Sequence, residues 1–313
     1  MTWTSISSNI PERTIVWRMV QDPVEKNLLF AATEYGVYTS LNGGSSWQKL
    51  PGTPTISFRD LTIQKRENDL VAASFGRGFF VLDDYSALRE FTDQNLSKEG
   101  KLFEPRPAKW FVPRSNIGNT GADYYFAKNP EYGAVFTYHL SNDFTTQKSL
   151  RQKKEKDLNK ANKNVPFPGW DALDQEGQEE AAQILLTITD QEGNIINKVK
   201  QKASKGSHRI AWNLEHFNPF PISLSGRSRR GGGALVTPGT YKASLHLEKG
   251  GQVTALDGPI SFDVKAIRNG VLKGASYEDY NAFREELTEF LKEVSAMQDA
   301  FSQSKKKHAA LSK

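Results

Sequence analysis

The first 93 residues alternate between short apolar runs and polar, glycine-containing turns, a pattern that favours β-strands over helices. A first set of runs predicts strands near Ile15–Gln21, Leu28–Thr33, Val37–Ser40 and Trp47–Leu50. A second set predicts strands near Phe58–Gln64, Leu70–Ser74 and Gly78–Leu82. Runs of this length, bounded by Gly, Asn, Asp and Ser, are typical of antiparallel hairpins. The pattern therefore predicts two small sheets of similar design.

The two sets of strands repeat one another. Trp3 and Trp47 lie 44 residues apart, and residues 30–33 match residues 71–74. A period of ~40–50 residues with about four strands per unit is typical of β-propeller blades. A propeller closes with ~4–8 blades. Residues 1–93 are therefore expected to form about two blades, the C-terminal ones of a ring whose other blades lie outside this chain.

The turn after the third predicted strand reads Ser-Leu-Asn-Gly-Gly-Ser-Ser-Trp at residues 40–47. It resembles the Asp-box, or bacterial neuraminidase (BNR) repeat, in which Ser or Thr, Asp, Gly and an aromatic residue recur at fixed positions. Ser40, Asn42, Gly44 and Trp47 occupy those positions, and Asn42 replaces the usual Asp. The substitution keeps a turn acceptor and loses the charge. The box holds a turn on the rim of a blade, so the resemblance implies a structural role for these four residues.

Residues 75–84, Phe-Gly-Arg-Gly-Phe-Phe-Val-Leu-Asp-Asp, look like the last blades of sortilin-type, xyloglucanase-like propeller proteins. The resemblance implies a longer, exported bacterial protein of the glycosyl-hydrolase-like kind. Its catalytic aspartates would lie in blades outside this chain, so the catalytic residues are unknown here. Asp83 and Asp84 do not supply them, because adjacent strand residues point to opposite faces and cannot easily flank one glycosidic bond.

A second β region is predicted at residues 133–267, after a Pro-, Gly- and Asn-rich linker at 94–132. Short alternating runs recur there with turn signals between them, and Trp212 is the expected core anchor. This spacing favours an immunoglobulin- or fibronectin-like β-sandwich. The overall prediction is thus a mainly β chain: a partial propeller, a sandwich and a terminal helix.

A charged insertion occupies residues 145–181, basic at its start and acidic at its end. We expect a solvated helical excursion whose halves neutralise one another; contact of the basic half with a polyanion is the alternative. Exposed aromatic rings can stack on sugars. Tyr124 and Tyr125 in the linker and Trp170 in the insertion are therefore candidate ligand-stacking residues.

Residues 268–313 are predicted to form an amphipathic helix. Its apolar residues follow at steps of 4, 3, 4, 3 and 4, at Phe283, Leu287, Phe290, Val294, Met297 and Phe301. Such a seam is typical of a coiled coil. One helix cannot bury it alone, so the seam predicts contact with the sandwich, a second helix or another chain. Self-association, or contact with an N-terminal propeller partner through the blades and this helix, is the expected consequence.

The composition of the chain excludes several classes of functional site. The chain has 313 residues and no cysteine, which excludes disulfides, thiolate metal sites and a cysteine nucleophile. The net charge of +5 is scattered, which argues against a nucleic-acid interface. No apolar run is long enough for a transmembrane helix, and the N-terminus lacks the features of a signal peptide. The five histidines show no metal-ligand spacing, so no metal or cofactor is expected.

Three functional hypotheses remain open. The chain is the non-catalytic C-terminal portion of an exported glycosyl-hydrolase-like BNR-repeat protein, secreted or placed in the periplasm or cell envelope with its parent. Alternatively, it is a sortilin-type module that binds a peptide or polysaccharide without chemistry. In the third hypothesis it is an assembly protein that acts through its terminal helix. No catalytic constellation in the chain favours hydrolysis by the chain itself.

Overall fold

The computed structural model describes residues 2–113, 127, 129–219, 233–268 and 274–311. These residues form a mainly β structure with a curled half-barrel sheet and a C-terminal helix, which confirms the predicted class. Of the candidate stacking residues, Tyr124 and Tyr125 fall outside the described residues.

The first sheet is an antiparallel meander whose four strands pair in chain order. Its strands are β1 (Val16–Gln21), β2 (Leu29–Thr33), β3 (Gly36–Ser40) and β4 (Gln48–Lys49). β2 and β3 are buried along their whole length. The second sheet repeats the meander with β5 (Phe58–Gln64), β6 (Asp69–Ser74) and β7 (Phe79–Leu82).

The two sheets are joined by one apolar core. Phe30 and Val37 of the first sheet pack with Phe58 and Leu70 of the second, and Tyr85 closes the cluster. Both sheets carry a register shift in their first strand pair, at Trp17 and Arg59. The repeat seen in the sequence therefore extends to the same backbone irregularity.

The opposite faces of these sheets keep apolar side chains in solvent. Met19 on β1 is 48% exposed, while Phe79 and Val81 on β7 are 76% and 54% exposed. The Arg59 guanidinium lies 3.7 Å from the ring centre of Trp17 and covers part of that ring. Met19, Phe79 and Val81 therefore remain accessible to solvent in the described part of the chain.

The second β region contains a three-stranded and a five-stranded sheet that share one core. The smaller sheet has the order β13–β10–β8, with β8 (Gly100–Leu102), β10 (Ala134–Leu140) and β13 (Gly206–Trp212). The larger has the order β12–β11–β14–β15–β9, with β9 (Ala108–Trp110), β11 (Gln183–Thr189), β12 (Ile195–Lys202), β14 (Gly239–Lys249) and β15 (Gln252–Ala266). Trp212 is fully buried at the centre, in edge-to-face contact with Tyr241 and Phe262.

Two of these strands lie within residues 94–132. β8 pairs with β10, and β9 adds to β15 as the one parallel pair among the described strands. A short helix α1 (Asp93–Leu96), preceded by a 3-10 helix (Ser86–Glu90), leads the chain into them. This part of the chain therefore contributes to both sheets of the second region.

The charged insertion folds into α2 (Gln147–Lys160) and α3 (Trp170–Gln178). Arg151 joins the two helices through bonds of 2.8 Å and 3.0 Å from its Nε to the Glu176 carboxylate, and it also pairs with Glu155. Arg151 thus provides one ion pair between the basic and the acidic half of the insertion. The chain ends in α4 (Tyr277–Leu311). No helix among the described residues is both long and apolar enough to cross a membrane.

Candidate functional site

The turn at residues 40–46 is closed by its own side chains. Ser40 Oγ accepts a hydrogen bond from the Gly44 N–H at 2.9 Å and donates one to Asn42 Oδ1 at 3.0 Å. Asn42 Oδ1 also accepts from the Ser46 N–H at 2.8 Å, and its Nδ2 donates to Ser46 Oγ. Gly44 has a φ of +93°, and a Cβ there would lie 2.7 Å from Ile6 Cβ, so the turn requires glycine.

Trp47 anchors the chain after this turn. Its indole is 3% exposed and packs with Leu29 and Tyr38. Its Nε1 donates to the Ile6 carbonyl at 2.6 Å, and the Asn9 side chain bonds both the N–H and the C=O of Trp47. The structure thus brings Ser40, Asn42 and Gly44 together in one turn, and the Trp47 that follows it holds the N-terminal segment over the first sheet.

A buried ion pair links the two N-terminal sheets to the 3-10 helix. The Asp22 side chain is fully buried, and Arg89 donates to it twice, from Nε at 3.0 Å and Nη2 at 2.8 Å. The Tyr85 hydroxyl donates to the same carboxylate at 2.6 Å. The backbone N–H groups of Val24 and Glu25 donate as well, at 2.9 Å and 2.6 Å. The carboxylate is therefore fully satisfied by the protein.

This cluster has perturbed protonation equilibria. Burial alone would raise the pKa of Asp22, but the hydrogen bonds from Arg89, Glu25, Tyr85 and Val24 outweigh it and hold the pKa below its usual value. Burial, followed by the adjacent Asp22 carboxylate, raises the pKa of Tyr85. Each group is therefore locked in the protonation state that the ion pair needs, which is a structural arrangement and not one poised for proton transfer.

A groove lies where the N-terminal sheets meet the second region. It has a volume of about 560 Å3. Its floor is largely apolar, formed by Leu41, Leu50, Leu88 and Phe91 among others, and polar side chains at its edge include Lys49, His208 and Arg209. Clefts at such junctions, apolar with a few polar groups, are typical ligand sites.

Cationic side chains fix the two walls of this junction. Arg209 on β13 donates from Nη2 to the carbonyl oxygens of Asp83 and Asp84, at 2.6 Å and 2.7 Å. Arg106 lies 3.3 Å from the Asp69 carboxylate, and Lys109 lies 2.9 Å from Glu67. The hydrogen bond from Lys109 lowers the pKa of Glu67. The junction is thus held by ion pairs and carbonyl contacts from β9 and β13.

Asp84 lines the groove, and both Asp83 and Asp84 line a smaller adjoining cavity of about 240 Å3. The Asp84 carboxylate accepts hydrogen bonds from the Ser86 hydroxyl and N–H, at 2.6 Å and 3.3 Å. The Asp84 N–H in turn donates to Asp69. These contacts shape the exit from β7, in line with the turn and strand end that the sequence predicts there.

Trp170, the described candidate for sugar stacking, lies far from this groove in sequence and in topology. It begins α3, is 74% exposed and makes an edge-to-face contact with Phe167. Its ring is therefore available to solvent, with no polar groups arranged around it by the described contacts. Among the described residues, no group of three or more His, Asp and Glu side chains could hold a metal ion.

Sequence reasoning missed the Asp22 cluster and the Arg209 contacts. Asp22 precedes Pro23 in a polar loop and resembles an ordinary turn residue, while Arg89 follows 67 residues later. Arg209 bonds carbonyl oxygens that no sequence pattern marks. No spacing in the sequence marks the cluster, because Tyr85 precedes the 3-10 helix that carries Arg89 and the two residues do not share a helical face.

Comparisons with known proteins place the chain in no family. No protein-family model matches it, and no curated protein does. Dimeric latent PorU from Porphyromonas gingivalis aligns with 82% of this chain and 21% of its own, at 12% identity and a TM-score of 0.29. The extracellular domain of BT4673 from B. thetaiotaomicron aligns with 85% of this chain and 26% of its own, at 11% identity and a TM-score of 0.20. The chain therefore spans about a fifth to a quarter of the length of these two structures.

Proposed function

We propose that this chain is the non-catalytic C-terminal part of an exported, glycosyl-hydrolase-like propeller protein with Asp-box repeats. In this proposal β1–β4 and β5–β7 are two adjacent blades, and β8–β15 form an immunoglobulin- or fibronectin-like sandwich. Support comes from two antiparallel meanders in chain order, a shared core between them, and an Asp-box-like turn closed by Ser40 and Asn42.

The observation that carries the proposal is a set of exposed apolar side chains on the outer faces of the two meanders. Met19 on one side is 48% exposed and Phe79 and Val81 on the other are more than half exposed, whereas their neighbours Val20, Phe80 and Leu82 on the inner faces pack against the shared core. Large exposed apolar patches mark interaction surfaces. Further blades of the same design would cover both sides, as each of these two sheets covers the other.

That the chain is non-catalytic is part of the proposal. A glycosidase needs a carboxyl whose pKa is raised, to act as general acid, with a second carboxylate across the glycosidic bond. At the junction the pKa values of Asp22 and Glu67 are instead lowered, and Asp22 is closed off by the protein. Asp84 is engaged with Ser86 and Asp69 in its own turn.

The outer faces give the first test. We expect Met19→Thr combined with Phe79→Thr to reduce binding of an apolar dye and aggregation of the isolated chain, while its melting temperature stays nearly unchanged because neither side chain is buried. Phe58→Thr, a buried position on the inner face, is the matched control and should lower the melting temperature. Unchanged dye binding in the double variant would contradict the proposal. Release of reducing sugar from any polysaccharide by the wild-type chain would contradict its non-catalytic part.

A second candidate function rests on the junction groove. Its apolar floor and the cationic Lys49 and Arg209 at its edge suit an extended ligand that carries both apolar and acidic groups, such as a peptide segment or an acidic polysaccharide. In this candidate the chain captures such a ligand without transforming it.

Calorimetric titration with a panel of peptides and polysaccharides tests this second candidate. We expect Gln48→Trp, which fills the groove from an exposed lining position, to weaken binding at least about tenfold. Trp170→Ala is the control, because Trp170 lies outside the groove and should leave that binding intact. If Trp170→Ala weakened binding and Gln48→Trp did not, the ligand would bind at Trp170. If neither variant weakened binding, the groove would be excluded as the binding site.

A further inference from the structure

The terminal helix α4 contacts the rest of the protein through polar side chains. Asn281 Nδ2 donates to Thr237 Oγ1 at 3.1 Å, and Ser295 is buried. Arg284 lies between them, with its side chain 17% exposed, and borders the cavity that His216 lines. The contact face of α4 is therefore the one formed by residues 281, 284, 288 and 295.

The apolar seam of α4 points elsewhere. Phe283, Phe290, Met297 and Phe301 are each at least 60% exposed, and Leu287 is 40% exposed. An amphipathic helix normally turns its apolar stripe to the core. Here the polar face is docked and the stripe, apart from the half-buried Val294, is open over roughly 27 Å, given a rise of ~1.5 Å per residue. The seam is thus presented as a surface for another helix.

The order of residues along the seam identifies that helix. Steps of 4, 3, 4, 3 and 4 read the same in both directions. A second copy in antiparallel orientation would therefore place Phe283 opposite its Phe301, Leu287 opposite its Met297, and Phe290 opposite its Val294. Each of these layers pairs an a position with a d position, as an antiparallel coiled coil requires. The seam is complementary to itself when reversed.

Charge favours the same orientation. Residues 277–293 contain six acidic and two basic side chains, whereas residues 294–311 contain one acidic residue and three lysines, Lys305 to Lys307. Reversal sets the acidic half of one copy against the basic end of the other, and Asp279 flanks the seam across from the second copy's Lys307. A parallel pair would align like charges. Among the charged residues that flank the seam, Glu293 is the one that lies across from the same residue of the second copy.

We propose that α4 is a self-association surface, and that it forms an antiparallel two-helix coiled coil with α4 of a second copy of this chain. The proposal is independent of the proposed function, since it rests on the face of α4 that the fold leaves open. The docked polar face remains in place, so the second copy attaches without rearrangement of the sheets.

Cysteine cross-linking tests the orientation directly, because the chain has no cysteine of its own. Copies carrying Phe283→Cys are mixed with copies carrying Phe301→Cys and oxidised. We expect disulfide-linked dimers in the mixture and essentially none when either variant is oxidised alone. Dimers of Phe283→Cys with itself would indicate a parallel pair, and the absence of dimers in the mixture would overturn the proposal.

Light scattering coupled to size-exclusion chromatography tests the association itself. We expect the wild-type chain to be a dimer and Phe290→Glu to weaken dimerisation at least about tenfold. Ala296→Glu is the matched control, since Ala296 is exposed and lies outside both the seam and the docked face, and it should remain dimeric. Circular dichroism verifies that both variants keep the helix. A monomeric wild-type chain, or equal effects of the two variants, would overturn the proposal.

Discussion

Asp22→Ala is expected to lower the free energy of unfolding by roughly 3–5 kcal/mol, the usual cost of breaking a buried ion pair from one side. The change removes both carboxylate contacts of Arg89, whose side chain is 18% exposed and keeps its bond to Asn68 Oδ1. It also leaves the Tyr85 hydroxyl and two backbone N–H groups without an acceptor. Urea denaturation followed by tryptophan fluorescence measures the loss.

Asp60→Ala provides the matched control for this prediction. Asp60 lies on β5 and pairs with Arg18 at 3.5 Å, but both side chains are more than half exposed. Its removal should change stability by no more than about 1 kcal/mol. Comparable losses in the two variants would contradict the role assigned to burial. Asp22→Leu combined with Arg89→Met should recover part of the loss, because no unpaired charge then remains inside.

The same carboxylate gives a pH dependence. Because the folded-state pKa of Asp22 is lowered, the stability it contributes is present above the unfolded value near 3.8 and is lost as the pH falls through the folded pKa. Asp22→Ala lacks this contribution, so the difference in stability between wild type and variant should shrink at acid pH.

Trp47→Ala is expected to have the second large effect. It should lower the free energy of unfolding by ~3–5 kcal/mol because of the cavity left by a buried aromatic ring. The ring supports Leu29 and Tyr38 on the outer face of the first sheet, and its Nε1 binds the Ile6 carbonyl. The N-terminal segment should therefore detach together with the ring. We expect trypsin to cleave faster after Arg13 in the variant, and the denaturation midpoint to be lower.

Asn42→Ala and Asn42→Asp are the controls within the same turn. The alanine variant loses the bonds to Ser46 at the half-exposed end of the turn, which should cost about 1 kcal/mol. The aspartate variant keeps the acceptor for the Ser46 N–H and should be nearly neutral. If Asn42→Ala released the N-terminal segment as readily as Trp47→Ala, the turn and not the ring would be its anchor.

Local patterns were enough to predict most strands. The expected run Leu28–Thr33 is found as Leu29–Thr33, and Val37–Ser40 is found as Gly36–Ser40, because these strands are buried on both sides and flanked by turn residues. The spacing of apolar residues likewise predicted the seam of α4. It did not predict that the seam faces outward, because that direction depends on the polar contacts of Asn281 and Arg284.

Short strands and distant pairs escaped prediction for a physical reason. β8 and β9 have three residues each, too few to show an alternation, and they lie among prolines and glycines that suggest a linker. Their partners β10 and β15 lie far along the chain. The ion pair between Asp22 and Arg89 could not be predicted for the same reason, since its energy comes from burial and geometry that exist only in the folded chain.

The pairing of β9 with β15 sets an order of events during synthesis. The two N-terminal sheets use only local pairings and can form once residue 82 has emerged. β9 must wait until residue 266 is made, a delay on the order of 8–30 s at ~5–20 residues per second. During that time the edge of β9 is open while the two N-terminal sheets are already folded. A nascent chain stalled in this interval would expose β9 to misplaced partners, so chaperone dependence should arise from the second region.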